Sequence, residues 1–328
     1  MKKLKIAVVA GGDSTEREIS IKGGRYIIGE LNKELYDTTL VYISRKGWYA
    51  EDEDGGKFDI DKNDFSYTKN SVKKTFDFAL IVIHGTPGEN GILQAYFELM
   101  EIPYSTSGVL SSAATFDKAT TKALAAKAGA KVAREMIVLK GEEVDTKKIA
   151  DTLSLPVFVK PNGAGSSFGV SKVKSEADLI PAIEKAFSED HRVIIEEFLS
   201  GREVSCGIFK ALGKEYVLPV TEIISETEYF DYEAKYLGKS REVTPAEISD
   251  DIRLKLNTEC RKIYKALMCE ALVRIDFIIK GDTPYMIEVN SIPGMSQQSI
   301  IPQQLKAMGM TTGEMYDLII KDKLVKKD

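Results

Sequence analysis

The sequence predicts a mixed α/β chain of more than one domain, and three observations predict it. The chain has 328 residues, beyond the roughly 250 to 300 at which a single hydrophobic core stops growing, so two or three domains are expected. Its first hundred residues alternate short apolar strands with amphipathic helices, the pattern of a parallel α/β layer whose ligand loops lie at strand C-terminal ends. Past residue 105 the texture changes to an Ala/Lys-rich helix and then a run of short strands with few helices between them. The coarse division is 1–105, 106–198 and 199–328.

The first strand spans Lys5 to Val9 and breaks at Gly11-Gly12. Thr15 with Glu18 three residues later fits a capping box, so a helix is expected from there to about Asn32. A strand from Phe78 to His84 ends in HGTPGENG, and a helix from Gly91 to Met100 follows, with Leu93, Phe97 and Met100 on its apolar face. A helix is expected over Asp117 to Ala128. Short strands follow at Pro156 to Lys160, Gly169 to Val173 and Arg192 to Phe198, with a helix from Ser175 to Phe187 before the last. Two more strands are expected at Glu203 to Lys210 and Glu215 to Ile223. The polar stretch Ser225 to Pro245 has no clear periodicity. Ile252, Leu256, Ile263 and Leu267 recur at helical spacing, a hairpin joins Leu272–Ile279 to Tyr285–Asn290, and the tail carries one or two helices.

Composition excludes several function classes. Lys and Arg number 45 against 50 Asp and Glu, a net charge of −5, which offers no basic field for nucleic acid. Any polyanion must be met by local groups. No apolar run approaches the ~20 residues that span a bilayer, and the start MKKLKIAVVAGG has too short an apolar stretch for a secretion signal, so the expected location is cytoplasmic. Three cysteines form no C-x-x-C pair and only two histidines are present, which argues against a Cys/His zinc site. Cys206, on a strand, and Cys260, on a helix face, read as core residues.

The hairpin VRIDFIIKGDTPYMIEVN carries the strongest chemical signal. A turn centred on Asp282 pairs Asp276 with Glu288 and Arg274 with Asn290, all on one face, leaving Val273, Ile275, Phe277, Ile287 and Val289 for the core. Two facing carboxylates repel. A hard divalent cation such as Mg²⁺ would neutralise them, since it uses one or two carboxylates plus substrate phosphates; the alternative is a surface face on which Arg274 pairs the acids.

A second signal is KPNGAGSSFG, Lys160 to Gly169, whose glycines allow close backbone approach and whose Ser166 and Ser167 add hydroxyl donors, a composition suited to cradling phosphate. It is neither a P-loop nor a dinucleotide fingerprint. A third is Ser225 to Pro245, where Tyr229, Phe230, Tyr232 and Tyr236 argue for a lid over substrate and against disorder. Glu16, near a helix start, and His84, at a strand end, would lie at the ligand edge of the first domain. Singly, each also fits a structural role.

Taken in order, GGDSTEREIS, HGTPGENG, FDK, VKPNGAGSSFGV, IIEEFLSGRE, YFDYEAKY, RIDF and EVNSIPGMSQQSI resemble the D-alanine-D-alanine ligases of the ATP-grasp superfamily, from Val8 to Ile300. The resemblance implies a three-domain ATP-grasp fold with an N-terminal parallel α/β domain, and a cytoplasmic enzyme of cell-wall precursor synthesis. It would join two D-alanine molecules with ATP through a D-alanyl phosphate. Lys118 and Lys160 would contact ATP phosphates, with Ser166 and Ser167 closing over them and Lys235 reaching the γ-phosphate. Glu196, Glu197 and Leu199 would line the adenine pocket, with Glu203 at the ribose. Asp276, Glu288 and Asn290 would hold two Mg²⁺ ions, or Mn²⁺. Glu16 would take the ammonium of the first D-alanine with His84 close by. Arg274 and the Gly294 N–H would hold the oxyanion, and Ser299 the carboxylate of the second D-alanine, beside Ile300. Glu16, Ser166 and Tyr236 match a hydrogen-bonded trio that locks the lid. A homodimer is expected by the same resemblance.

The chain departs from the family pattern at Asn90, at Gly163-Ala164, at Glu197 and at Gln298. The nearest rival readings are a ligase making D-alanyl-D-serine or D-alanyl-D-lactate, and a non-catalytic nucleotide-binding protein of the same fold. Tyr236 argues against lactate, because similar depsipeptide ligases often lack that tyrosine. An oxyanion arginine argues against the non-catalytic reading.

Overall fold

The computed structural model describes residues 2–163, 168–225 and 240–325. Strand β1 (Leu4–Gly11) is fully buried from Ile6 to Ala10, as an apolar strand covered on both faces must be. It ends at Gly11 and Gly12, whose φ of +109° and +91° suit glycine, and the chain turns into helix α1 (Arg17–Glu30). The expected capping box does not form: Glu16 is the N-cap residue and makes no side-chain cap. Instead Ser14 Oγ accepts the Glu16 N–H at 3.3 Å and donates to the His84 carbonyl at 2.9 Å, so a neighbouring strand end holds this helix start.

The segment between residues 36 and 74, for which the sequence reading assigned no elements, supplies β2 (Tyr36–Ser44), β3 (Gly47–Glu51), β4 (Lys57–Asp59) and the small hairpin β5 (Tyr67–Lys69) and β6 (Val72–Lys74). With β7 (Phe78–Ile81) the first sheet has the order β4-β3-β2-β1-β7. It is parallel at its centre, where β1 lies between β2 and β7, and antiparallel at the β3–β4 edge. Helix α2 (Ile92–Leu99) buries Leu93, Gln94 and Phe97, while the expected Met100 is only half-buried. The expected helix from Asp117 is preceded by another: α3 (Val109–Phe116) and α4 (Lys118–Lys127) meet at Asp117, which caps α4 by accepting the Thr120 N–H at 2.8 Å.

After β8 (Lys131–Val132), the strands β9 (Glu135–Leu139), β10 (Val157–Pro161), β11 (Ser171–Val173) and β12 (Arg192–Glu197) form an antiparallel sheet, order β11-β10-β12-β9. Helices α5 (Thr146–Leu153) and α6 (Leu179–Phe187) cover it, and Ile149, Leu179 and Ile183 fill a core with Val157, Val159 and Val193.

The third sheet is the largest. It contains β13 (Arg202–Ala211), β14 (Lys214–Val217), β15 (Thr221–Ser225), β16 (Ser240–Val243) and, after helix α7 (Asp250–Ala266), the hairpin β17 (Val273–Lys280) and β18 (Thr283–Asn290). The single strand expected over Glu215 to Ile223 is two strands, broken where Leu218-Pro219-Val220 crosses between them; proline cannot continue a central ladder. The expected lid lies mostly outside the described residues, but its end, Ser240–Val243, is a strand paired with β15. Leu256, Cys260 and Ile263 of α7 pack on Cys206, Val273 and Ile275, which assigns Cys206 and Cys260 to the core. Helices α8 (Ile300–Met308) and α9 (Thr312–Val325) complete the chain. Leu305, Met315 and Ile319 join Val8, Leu80 and Phe209 in one cluster, which fastens the first sheet to the third and leaves a cleft between their loops.

The hairpin pairs Asp276 with Glu288 and Arg274 with Asn290, the expected register, by a route the sequence reading did not contain. The turn pairs Lys280 with Thr283, and a bulge between Asp276 and Phe277 shifts the register back before the cleft. The bulge also corrects the expected core face: Met286 is fully buried, while Ile287 lines the cleft.

Candidate active site

A cavity of about 500 Å³ opens between the first sheet, helices α3 and α4, the β18 end and the loop 291–299. Glu16, His84, Lys118, Arg274, Glu288, Asn290, Gly294, Ser299 and Ile300, all site residues expected from the sequence, line it together. Long-range packing brings Glu16, His84 and Lys118 against the β17–β18 hairpin and the loop that follows it.

Arg274 and Asp276, two apart on β17, share a face and form a bidentate pair, Nε to Oδ1 at 2.8 Å and Nη2 to Oδ2 at 2.7 Å. Asp276 also accepts Ser205 Oγ at 2.5 Å and Asn290 Nδ2 at 2.9 Å. Burial alone would lower the Arg274 pKa, but Asp276, Glu288 and Glu242 raise it above the usual arginine value, so the guanidinium stays charged. The alternative in which Arg274 pairs the acids is therefore realised at Asp276, while Glu288 faces Lys118 at 4.0 Å. Among the described residues no three His, Cys, Asp or Glu side chains are grouped to hold a metal. Asp276, Glu288 and Asn290 nonetheless share one face, with Lys118 4.0 Å from Glu288, and are the oxygen-bearing side chains suited to a hard divalent cation.

Lys118 opens α4, and its direction is fixed by its surroundings. Asp117 is held by Arg192 and Asn162, each at 2.6 Å. Asn162, just past Lys160-Pro161, accepts the Lys118 N–H at 3.2 Å on its carbonyl and the Ala119 N–H at 3.0 Å on Oδ1. Asn162 thus couples the start of the glycine loop to the start of α4, a role that sequence reasoning missed because the local motif gives no sign of it. Gly163 of that loop donates its N–H to Asp190 at 2.6 Å. Ser166 and Ser167 of the loop and Lys235 and Tyr236 of the lid lie outside the described residues.

Lys160 reaches Glu196 Oε2 at 2.6 Å, and the same carboxylate accepts Lys122 at 2.7 Å on Oε1. Burial would raise the Glu196 pKa, but the two ammonium groups hold it at about 2. Glu203, on β13, adds to the negative field around Lys160. The Glu197 carboxylate turns away to Arg134 at 2.8 Å, and Leu199 is buried.

At the other end, His84 is buried and hydrogen-bonds the Ile292 backbone, and its Nε2 has no hydrogen-bond partner among the described residues. Burial lowers its pKa despite Glu16, so the ring is neutral. Glu89, which sequence reasoning missed, accepts the Gly85 N–H at 2.7 Å and the Ile292 N–H at 3.3 Å. It ties the His84 loop to the Gly294 loop, and burial raises its pKa to about 7. Of the departures from the family pattern, Asn90 bonds Thr86 Oγ1 at 3.0 Å and the Gln298 carbonyl accepts Gln303 Nε2 at 2.8 Å. Ser299 Oγ lies 2.8 Å from Ser296 Oγ and accepts the Ser296 N–H at 3.0 Å.

Known proteins match this chain over nearly its whole length. Residues 5–107 match the family model described as D-ala D-ala ligase N-terminus, and residues 124–321 the one described as D-ala D-ala ligase C-terminus. A D-alanine–D-alanine ligase of Phocaeicola vulgatus is 46% identical over 98% of this chain and 99% of its own, and one of Christiangramia forsetii is 44% identical over 99% and 100%. Among solved structures, a D-Ala:D-Ser ligase from Enterococcus faecalis has a TM-score of 0.87 at 32% identity, covering 98% of this chain and 99% of that one. A Bacillus anthracis D-alanine–D-alanine ligase complexed with ATP has 0.80 at 31%, covering 99% and 98%. A cleft built from the expected residues in the expected register, and matches that leave out almost none of the chain, give one conclusion: this chain belongs to the D-alanine–D-alanine ligase family, with the ATP-grasp fold.

Proposed function

We infer that the protein joins two D-alanine molecules into D-alanyl-D-alanine, converting ATP to ADP and phosphate, for peptidoglycan precursor synthesis. The observation that carries this is the Arg274, Asp276, Glu288 and Asn290 face of one hairpin, turned into a cleft whose far wall holds Glu16 and His84. On this reading ATP lies between segments 106–198 and 199–328, against Lys118, Lys160, Glu196, Glu197, Leu199 and Glu203, and the amino acids lie against segment 1–105.

A carboxylate is a poor electrophile. The first D-alanine, its ammonium at Glu16 beside His84, attacks the γ-phosphorus and becomes an acyl phosphate as ADP leaves. Lys118 and Lys160 offset charge on the transferring group. Asp276, Glu288 and Asn290 would hold Mg²⁺, which supplies further neutralisation of the phosphates when bound. The second D-alanine, its carboxylate at Ser299 and its methyl near Ile300, loses an ammonium proton to the trio of Glu16, Ser166 and Tyr236. Its nitrogen then attacks the carbonyl carbon, Arg274 and the Gly294 N–H hold the oxyanion, and phosphate departs as the C–O bond breaks. No cysteine takes part. Lys235, Ser166 and Ser167 would shield the acyl phosphate from water.

The rival product is D-alanyl-D-serine, favoured by the likeness to the D-Ala:D-Ser ligase of E. faecalis. Phosphate release with Mg-ATP across D-alanine, D-serine, D-lactate and L-alanine, with products weighed by mass, separates these. Release with D-alanine and a dipeptide mass are expected; release only with L-amino acids, or none, overturns the reading. Sedimentation tests the proposed homodimer. No helix among the described residues is long and apolar enough to cross a membrane.

A further inference from the structure

Helix α4 carries Lys118, Lys122 and Lys127, and its Ala/Lys composition reads as a solvent-facing helix. Lys122 contradicts that reading: it is 2% exposed. Its Nζ lies 2.7 Å from Glu196 Oε1 and 2.6 Å from Glu135 Oε2. The Glu135 contact is a close ion pair outside hydrogen-bond geometry, and Oε2 has no hydrogen-bond partner among the described residues. The directed bond of Lys122 therefore goes to Glu196. The other Glu196 oxygen accepts Lys160 at 2.6 Å.

The quartet draws one side chain from each of α4, β9, β10 and β12, and its charges cancel. Taking charges out of water is expensive, and well-packed apolar residues of similar volume are often at least as stable. Stability is a poor reason for the arrangement. Geometry is a better one. A lysine side chain has many rotamers, and a point charge meant for phosphate acts best when its position is set before the ligand arrives. Lys160 is largely enclosed, in the field of Glu196, Glu288 and Glu203, and Glu196 is the group bonded to its head. A carboxylate bonded at one oxygen only can swing. Lys122 removes that freedom from behind.

We propose that Lys122 is a positioning residue for the nucleotide site: it pins Glu196 Oε1 so that Oε2 aims the Lys160 ammonium, while Glu135 supplies the counter-charge. This rests on the reading that Lys160 meets ATP phosphate. The proposal separates Lys122 from residues that touch substrate. Its loss acts on ATP and not on D-alanine.

The test uses Lys122→Met and the double variant Lys122→Met with Glu135→Gln, which restores charge balance if the single variant fails to fold. Binding of Mg-ATP without D-alanine is measured by calorimetry, KM for D-alanine at saturating ATP by phosphate release, and Tm by calorimetric scan. Pinning predicts an ATP Kd raised by about tenfold in both variants, as expected when a charge-assisted contact loses its orientation, with KM for D-alanine within about twofold. The double variant regains Tm without regaining ATP affinity. ATP binding in the double variant within about twofold of wild type, or ATP and D-alanine constants rising together, overturns the proposal. Wild-type protein that binds Mg-ATP but forms no dipeptide overturns the ligase reading instead, and the ATP constants still decide this one.

Discussion

Arg274 and Asp276 stand two residues apart on one strand and are locked by two parallel hydrogen bonds, at 2.8 and 2.7 Å, with the pair almost wholly enclosed. Strand alternation puts both side chains on the cleft face, and the planar guanidinium matches the carboxylate fork. Asp276 is thereby both the orienter of Arg274 and one of the acids suited to a cation. Removing it leaves a buried charge without its partner.

Asp276→Ala is therefore expected to abolish measurable turnover and to cost about 3 to 5 kcal/mol of stability, the usual penalty for breaking a buried pair from one side. Arg274→Met should lower kcat by about 10²- to 10³-fold, the scale of losing an oxyanion donor, with KM for ATP little changed. Steady-state kinetics and urea unfolding check both. Near-normal activity of Asp276→Ala at ordinary magnesium would refute the metal role.

Glu89 predicts a pH dependence. Its folded pKa of about 7 lies above the ordinary 4.5, chiefly because it is buried, so the folded protein keeps a proton that the unfolded chain releases. The contribution to stability is full below 4.5 and is lost as pH rises through about 7. Glu89→Gln should flatten this loss by roughly 2 kcal/mol, less than the full 1.36 kcal/mol per unit because the residue borders the cavity. Urea midpoints at about pH 5 and about pH 8 measure it, and parallel slopes in variant and wild type would count against the assignment.

Gly88 has no room for a side chain. A Cβ there would sit 2.1 Å from the Ile83 carbonyl oxygen, a backbone atom that cannot give way cheaply. Gly88→Ala should destabilise by about 2 kcal/mol or more and distort the loop bearing Glu89. A Tm unchanged within error would show that the loop relaxes freely.

Cys206, Cys260 and Cys269 are all buried and free, and burial raises the pKa of Cys260 and Cys269. Native protein should react with Ellman's reagent no faster than unfolding permits, and activity should survive brief treatment. Rapid inactivation through one thiol would contradict a mechanism without a cysteine.

The sequence by itself determined the α/β class, the hairpin that carries Arg274 and Asp276 on one face, and the family, because these depend on spacing within a short stretch. Period two puts Arg274 and Asp276 on one face whatever the rest of the chain does, while Glu288 comes opposite Asp276 only through the bulge between Asp276 and Phe277. The first sheet was only partly legible. Ile6–Val9 is a continuous apolar run and reads as a buried strand, whereas β3 and β4, and the separate β5–β6 hairpin, are short pieces with weak patterns whose pairing is set by their neighbours. The bulge at Asp276 was illegible for the same reason, and it decided that Met286 packs in the core and Ile287 faces the cleft. Only the tertiary structure decided the charges behind the site. Lys122 looks like any helix-surface lysine until Glu196, 74 residues later, and Glu135 arrive from two strands to enclose it. Local pattern reports which face a residue occupies, but the burial of a charge depends on partners, and partners distant in sequence leave no local trace.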